Sequence, residues 1–138
     1  MKSSRILLDT CIYIGWLRGW NEHIVTESRA NIVHFSGIVY TELLAGAFKP
    51  KHSKHVKSIK KHFDWHGRFQ EVTKEVSESA GEVLRKINKD SDKILADTLI
   101  AMSAREIGAE VWTHNAKDFE AIKKVKNFKL RIFQNEFK

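Results

Sequence analysis

Cysteine and proline are nearly missing from this chain: Cys11 and Pro50 stand alone among 138 residues. A single thiol excludes an internal disulfide framework and a cysteine-based zinc site. No repeat and no Gly-, Ser- or Pro-rich stretch marks a linker, so one domain spanning 1–138 is expected. Long apolar runs are lacking too, the longest uncharged stretches being about a dozen residues, short of a membrane-spanning helix. The opening MKSSRILLDT sets two cations before an apolar run, but Asp9 interrupts the run and no small-residue cleavage site follows. A cytoplasmic protein without membrane contact is the expectation. Acids are in short supply, 17 against 24 Lys and Arg, for a net charge of +7. Such a surplus favours polyanionic partners, nucleic acid first.

What is present alternates between two patterns. RILLD is an Ile/Leu run fit for a buried strand ending at Asp9. Thr10 is placed to cap a helix to about Arg18, and a second helix is expected over Asn21–Ala30. NIVHFSG predicts a strand over Ile32–Phe35, with Ser36 capping the helix that carries IVYTELLAGAF. Pro50 breaks that helix, and a basic helix follows from Lys51 to about Phe63. A short strand is expected around Phe69–Val72 and a long helix from Thr73 to about Asn88. Ser91 is placed to cap another helix, Asp92 to Ile107, which Gly108 closes. AEVWT and FKLRIF supply the last two strands. Strands alternating with helices imply the α/β class, a three-layer α/β/α sandwich around a mostly parallel sheet. In such sheets ligands sit outside the carboxyl ends of strands, where Asp9 falls.

Asp9 is the one charge in Ile6–Leu17, Glu42 the one charge in Ser36–Phe48, and Asp97 the one charge in Ile94–Ala104. In a chain that is 30% charged, three bare runs each hold a single carboxylate. Apart from Lys93 near the start of its helix, neither helical acid has a basic residue three or four places away. Each acid could pair separately across the fold; together they point to one shared site. Three carboxylates at ~5 Å would repel by roughly 3 kcal/mol per pair at an effective dielectric of about 20. A cation between them relieves this, and all-oxygen ligation suits Mg²⁺ or Mn²⁺ rather than zinc. Asp118, in the turn after AEVWT, is a fourth candidate, with Thr113 and Asn115 as polar support.

LLDTCIYI, YTELLAG and ADTLIAMSAREIGAEVWTHNAKDF, in this order, resemble a PIN domain, and more narrowly the VapC-type toxins of toxin–antitoxin pairs. The resemblance spans essentially the whole chain and is most specific in its last block. It implies a Mg²⁺-dependent endoribonuclease whose metal-binding and catalytic acids fall on Asp9, Glu42, Asp97 and Asp118. Thr113 and Asn115 take the family's strand-end hydroxyl and amide places, and Thr10 is counted with them as a supporting residue. A cognate antitoxin and a homodimer are implied as partners. One departure is Cys11, which stands where the family commonly has Ser or Asn; its thiol reads as a small buried apolar group, not a nucleophile.

Three further features carry competing readings. Seven histidines, with His114 in the last motif and His52, His55, His62 and His66 clustered, invite metal-free cleavage through the RNA 2′-hydroxyl, against the plainer reading of solvated side chains. Lys49–His62 holds six lysines and no acid, so Lys54, Lys57, Lys60 and Lys61 either bind RNA phosphates or coat a solvated helix. Trp16, Trp20 and Phe48 suit core packing or, if exposed, an antitoxin groove. An RNA-processing nuclease without a toxin role and a non-catalytic RNA-binding module are the other readings. A phosphorylation receiver lacks its paired acids, and a haloacid dehalogenase lacks its second aspartate, where Cys11 stands.

Overall fold

The computed structural model describes residues 4–87 and 91–135. In chain order the elements are β1 (Arg5–Leu8), α1 (Thr10–Leu17), α2 (Glu22–Ser28), β2 (Ile32–Ser36), α3 (Gly37–Ala45) and α4 (Pro50–Trp65), followed by β3 (Phe69–Gln70), α5 (Lys74–Ile87), α6 (Ser91–Ile107), β4 (Glu110–Thr113), α7 (Ala116–Val125) and β5 (Lys129–Ile132). The strands form one sheet in the order β3-β2-β1-β4-β5, and every pairing is parallel. The expected "mostly parallel" sheet is thus parallel throughout. Helical crossovers separate all consecutive strands, so no hairpin can form.

The helices pack in two groups, α1 to α4 on one another and α5 to α7 on one another, giving the three-layer α/β/α sandwich. Ile6, Leu7 and Leu8 of β1 are all buried, as a strand covered on both faces requires. On one face Phe35 of β2 stacks on Phe63 of α4 at 5.0 Å and meets Tyr13 of α1 edge-on at 5.3 Å. Phe119 and Ile122 of α7 are fully buried in the same core cluster.

Several boundaries moved for local reasons. Pro50 opens α4 rather than preceding it, because a first-turn position needs no N–H donor. The second helix shortens to Glu22–Ser28, since Asn21 adopts a left-handed φ of 57° and sends its side-chain amide to Ile12 O. That amide leaves no room for a side chain on Gly15, whose Cβ would sit 2.1 Å from Asn21 Nδ2. Ser36 caps α3 as expected, accepting from Ile38 N–H, and Thr73, expected as the first residue of α5, instead precedes it and accepts from Val76 N–H. The strand expected over Phe69–Val72 keeps two residues, and the expected helix end at Asn88 and the Ser91 cap lie outside the described side chains.

Candidate active site

Strand β1 sits where the strand order reverses, between β2 and β4, and its carboxyl end opens a crevice. Asp9 is the residue that follows, still extended (φ −69°, ψ 159°), with its N–H on Trp112 O at 2.9 Å. Its Oδ1 accepts Thr10 N–H at 2.8 Å, so Asp9 caps α1, not Thr10 as expected. The carboxylate occupies the last extended position, from which it reaches the helix's free N–H. Only one oxygen is used this way. Oδ2 turns the other way and accepts from Thr113 Oγ1 at 2.6 Å, at the carboxyl end of β4.

Freed from capping, Thr10 donates its hydroxyl to Glu42 Oε1 at 2.5 Å, joining α1 to α3. Asp97 on α6 and Asp118 in the first turn of α7 are bridged by one amide. Asn115 Nδ2 donates to Asp97 Oδ2 at 3.1 Å and to Asp118 Oδ2 at 3.0 Å. Asn115 also caps α7, and its N–H donates to Thr113 Oγ1 at 2.9 Å. Backbone, hydroxyl and carboxylate therefore form one chain, Asn115 N–H to Thr113 to Asp9. All seven residues read from the sequence, Asp9, Thr10, Glu42, Asp97, Thr113, Asn115 and Asp118, lie in this arrangement.

Its electrostatics are one-sided. The Asp97 carboxyl is pushed up to about 7, first by burial and then by the charges of Asp9, Asp118 and Glu42. Among the described residues no Lys, Arg or His forms an ion pair with any of the four acids. Hydroxyl, thiol and amide donors hold their oxygens instead.

Cys11 is part of that set, which corrects its reading as a buried apolar filler. It is half-buried, its Sγ lies 3.4 Å from Asp9 Oδ2, and it accepts His114 N–H. Burial, reinforced by the Asp9 charge, pushes its pKa up to about 12. A neutral thiol donating to a carboxylate is no nucleophile.

Other sequence candidates lie apart. His114 Nδ1 donates to Phe133 O at 2.8 Å, which ties the ring to the chain after β5. His52, His55, His62 and His66 are exposed. So are Lys54, Lys57 and Lys61, whereas Lys60 pairs with Asp64 at 3.2 Å and lies over the Phe69 ring. Trp16 is half-buried, with Nε1 donating to Glu22, and Trp20 is half-buried too. Phe48 is 90% exposed, so the core reading fails for it, and Trp65, which nothing in the sequence singled out, is 88% exposed.

This geometry has a counterpart among known sequences: residues 6–125 match the family model of the PIN domain. The chain belongs to the PIN-domain family. Solved structures with the same fold as this PIN domain include FitAB bound to an IR36 DNA fragment, with a TM-score of 0.71, 22% identity, and 96% of this chain and 99% of that one covered. VapBC2 from Rickettsia felis bound to a promoter DNA fragment gives 0.64 and 23%, covering 94% and 99%. A toxin–antitoxin complex from Klebsiella pneumoniae gives 0.67 and 22%, covering 83% and 89%. No curated protein sequence matches this chain.

The donor chemistry of this PIN domain fits a hard divalent cation. The ligands on offer are carboxylate oxygens supported by hydroxyl and amide oxygens, and their charge has no cationic partner among the described residues. No three His, Cys, Asp or Glu side chains among the described residues are grouped as they would be around a metal ion. Asn115, set between Asp97 and Asp118, and Thr10, set on Glu42, are the groups that hold the acids in their present places. No helix among the described residues is long and apolar enough to cross a membrane.

Proposed function

We propose that this PIN domain is a Mg²⁺- or Mn²⁺-dependent endoribonuclease that acts as a toxin and is neutralised by a cognate antitoxin. The observation that carries the reading is the convergence of four acids, with no basic partner among the described residues, at the carboxyl end of β1 and β4. Asp9, Glu42, Asp97 and Asp118 would hold the ion. When bound, it supplies positive charge against the phosphate and makes water acidic enough to attack near neutral pH.

The chain's own residues set the rest. Thr113 and Cys11 fix Asp9 Oδ2, Thr10 fixes Glu42, and Asn115 spaces Asp97 from Asp118, so the acids keep their places despite mutual repulsion. In-line attack by water on phosphorus, with departure of the 3′-oxygen, leaves 5′-phosphate and 3′-hydroxyl ends. The 2′-hydroxyl takes no part. The histidines favour this over the metal-free route, since His52, His55, His62 and His66 are exposed and the His114 ring is tied to Phe133.

A groove of about 420 Å³ between α1, α2 and α4 suits the antitoxin segment. Tyr13, Trp16 and Phe63 give it apolar walls, Arg29 and Arg68 basic ones, and no acid lines it. The toxin role draws support from the similar toxin–antitoxin complex, and a homodimer belongs to the same reading.

Cleavage of single-stranded RNA with Mg²⁺, with EDTA, and by Asp97→Asn tests the proposal. Loss of cutting in EDTA and a fall of about 10²-fold or more in the variant are expected. Tolerance of a 2′-deoxy group at the scissile nucleotide is the companion result. Undiminished cutting in EDTA would sink the metal mechanism.

A further inference from the structure

Helix α4 is two-faced. Val56 is buried and Ile59 and Phe63 are half-buried, at spacings of three and four residues that make one inward stripe. On the opposite face Lys54, Lys57, Lys61 and Trp65, again three to four apart, are all exposed. Phe48, two residues before the helix, is 90% exposed, and Trp65, its last residue, is 88% exposed. Large rings left in water at both ends of a lysine-covered helix have no packing role.

The topology orients this surface. β2 leads at its carboxyl end into α3, which carries Glu42, and α4 then leads to β3, which pairs with Phe35 and Ser36 of β2. Phe48 stands in the link between α3 and α4, six residues after Glu42, and Trp65 closes α4. The helix between them, Pro50–Trp65, is about 24 Å long at 1.5 Å per residue, room for several nucleotides of an extended strand.

Resting on the endoribonuclease reading, we infer that the outer face of α4, with Phe48 and Trp65 at its ends, is a stacking track that feeds single-stranded RNA to the carboxylates. The lysines meet phosphates, which the acidic site itself repels. The rings stack on bases, which only an unpaired strand offers. A lipid surface fits less well. Membrane-lying helices bury an aliphatic face, and the apolar stripe of α4 is turned inward onto Phe35 while its outer face has no Leu, Ile or Val.

The test is fluorescence anisotropy of a labelled oligouridine with the full chain in EDTA. Phe48→Ala and Trp65→Ala are each expected to weaken binding about tenfold without changing its salt slope. Trp65→Phe restores most of the loss. Replacing Lys54, Lys57 and Lys61 by Gln should lower the slope by about 2. Unchanged circular dichroism shows that the fold is kept. The inference fails if the double aromatic variant binds oligouridine like the parent, or loses blunt RNA duplex equally. It fails too if the rings are needed only for binding phosphatidylglycerol vesicles or for self-association. A parent chain that binds through these rings yet never cuts RNA with Mg²⁺ would refute the nuclease reading and leave the track standing.

Discussion

Asp97 feels the site most strongly. Its carboxyl stands at about 7 against an ordinary 3.8, because burial and three neighbouring acids disfavour its charge. Between those pH values the folded chain holds a proton that the unfolded chain has released. Stability is therefore lost as pH rises from about 4 to about 7, the reverse of a salt-bridged aspartate. Asp97→Asn removes the dependence. In EDTA at pH 8 the variant is expected to be more stable than the parent, by on the order of 1 kcal/mol after allowing for partial solvent screening. Below pH 4 the difference should vanish. Urea unfolding of both proteins across that range measures it, and a difference independent of pH would mean the acids do not interact. At this scale the sequence was informative where burial and charge conflict: Asp9, Glu42 and Asp97 stood out because lone charges in apolar runs need a reason. It was silent on Trp65 and misleading on Phe48, because an aromatic ring has the same composition whether it faces the core or the water. Cys11 was legible as unreactive but not as a hydrogen-bonding partner of Asp9, which depends on Thr113 and His114 arriving from far along the chain.

At the level of elements, the turn from α1 to α2 depends on a single close approach. Asn21 takes up the left-handed conformation, is buried, and holds Ile12 O with its amide, which needs Gly15 to lack a side chain. Gly15→Ala gains helix propensity but displaces that amide and leaves polar groups buried without partners. The expected net loss is about 1–2 kcal/mol, read as a lower urea midpoint with unchanged slope. A more stable variant would mean that Asn21 moves aside freely. Element type was readable because each signal is local: Ile/Leu runs for strands, Ser36 for a cap, Gly108 for the end of α6. Element ends were less so. Asp9 outcompeted Thr10 as a cap, and β3 shrank to two residues, both settled by which neighbouring strand or helix is in reach.

For the whole molecule, the sandwich class was legible from alternation, while the strand order was not. β1 pairs with β2 some thirty residues on and with β4 about a hundred residues on, Ile6 facing both Val33 and Glu110. Nothing local distinguishes these partners. A chain ending at Gly108 tests how far the halves depend on each other. It keeps β1 to β3 but loses Trp112, Phe119, Ile122 and Phe128 from the core. The expected outcome is loss of near-ultraviolet circular dichroism and of cooperative unfolding. A cooperative transition would show that the first half folds alone.

The pairing of Asp9 with Thr113, 104 residues apart, also sets a timetable. During synthesis Asp9 and Glu42 are made first, and Thr113, Asn115 and Asp118 follow about seventy residues or more after Glu42. Until β4 slots in beside β1, Asp9 lacks its hydroxyl donor and Asp97 its amide spacer. The four acids are thus brought together only once β4 has been made, long after the first two of them.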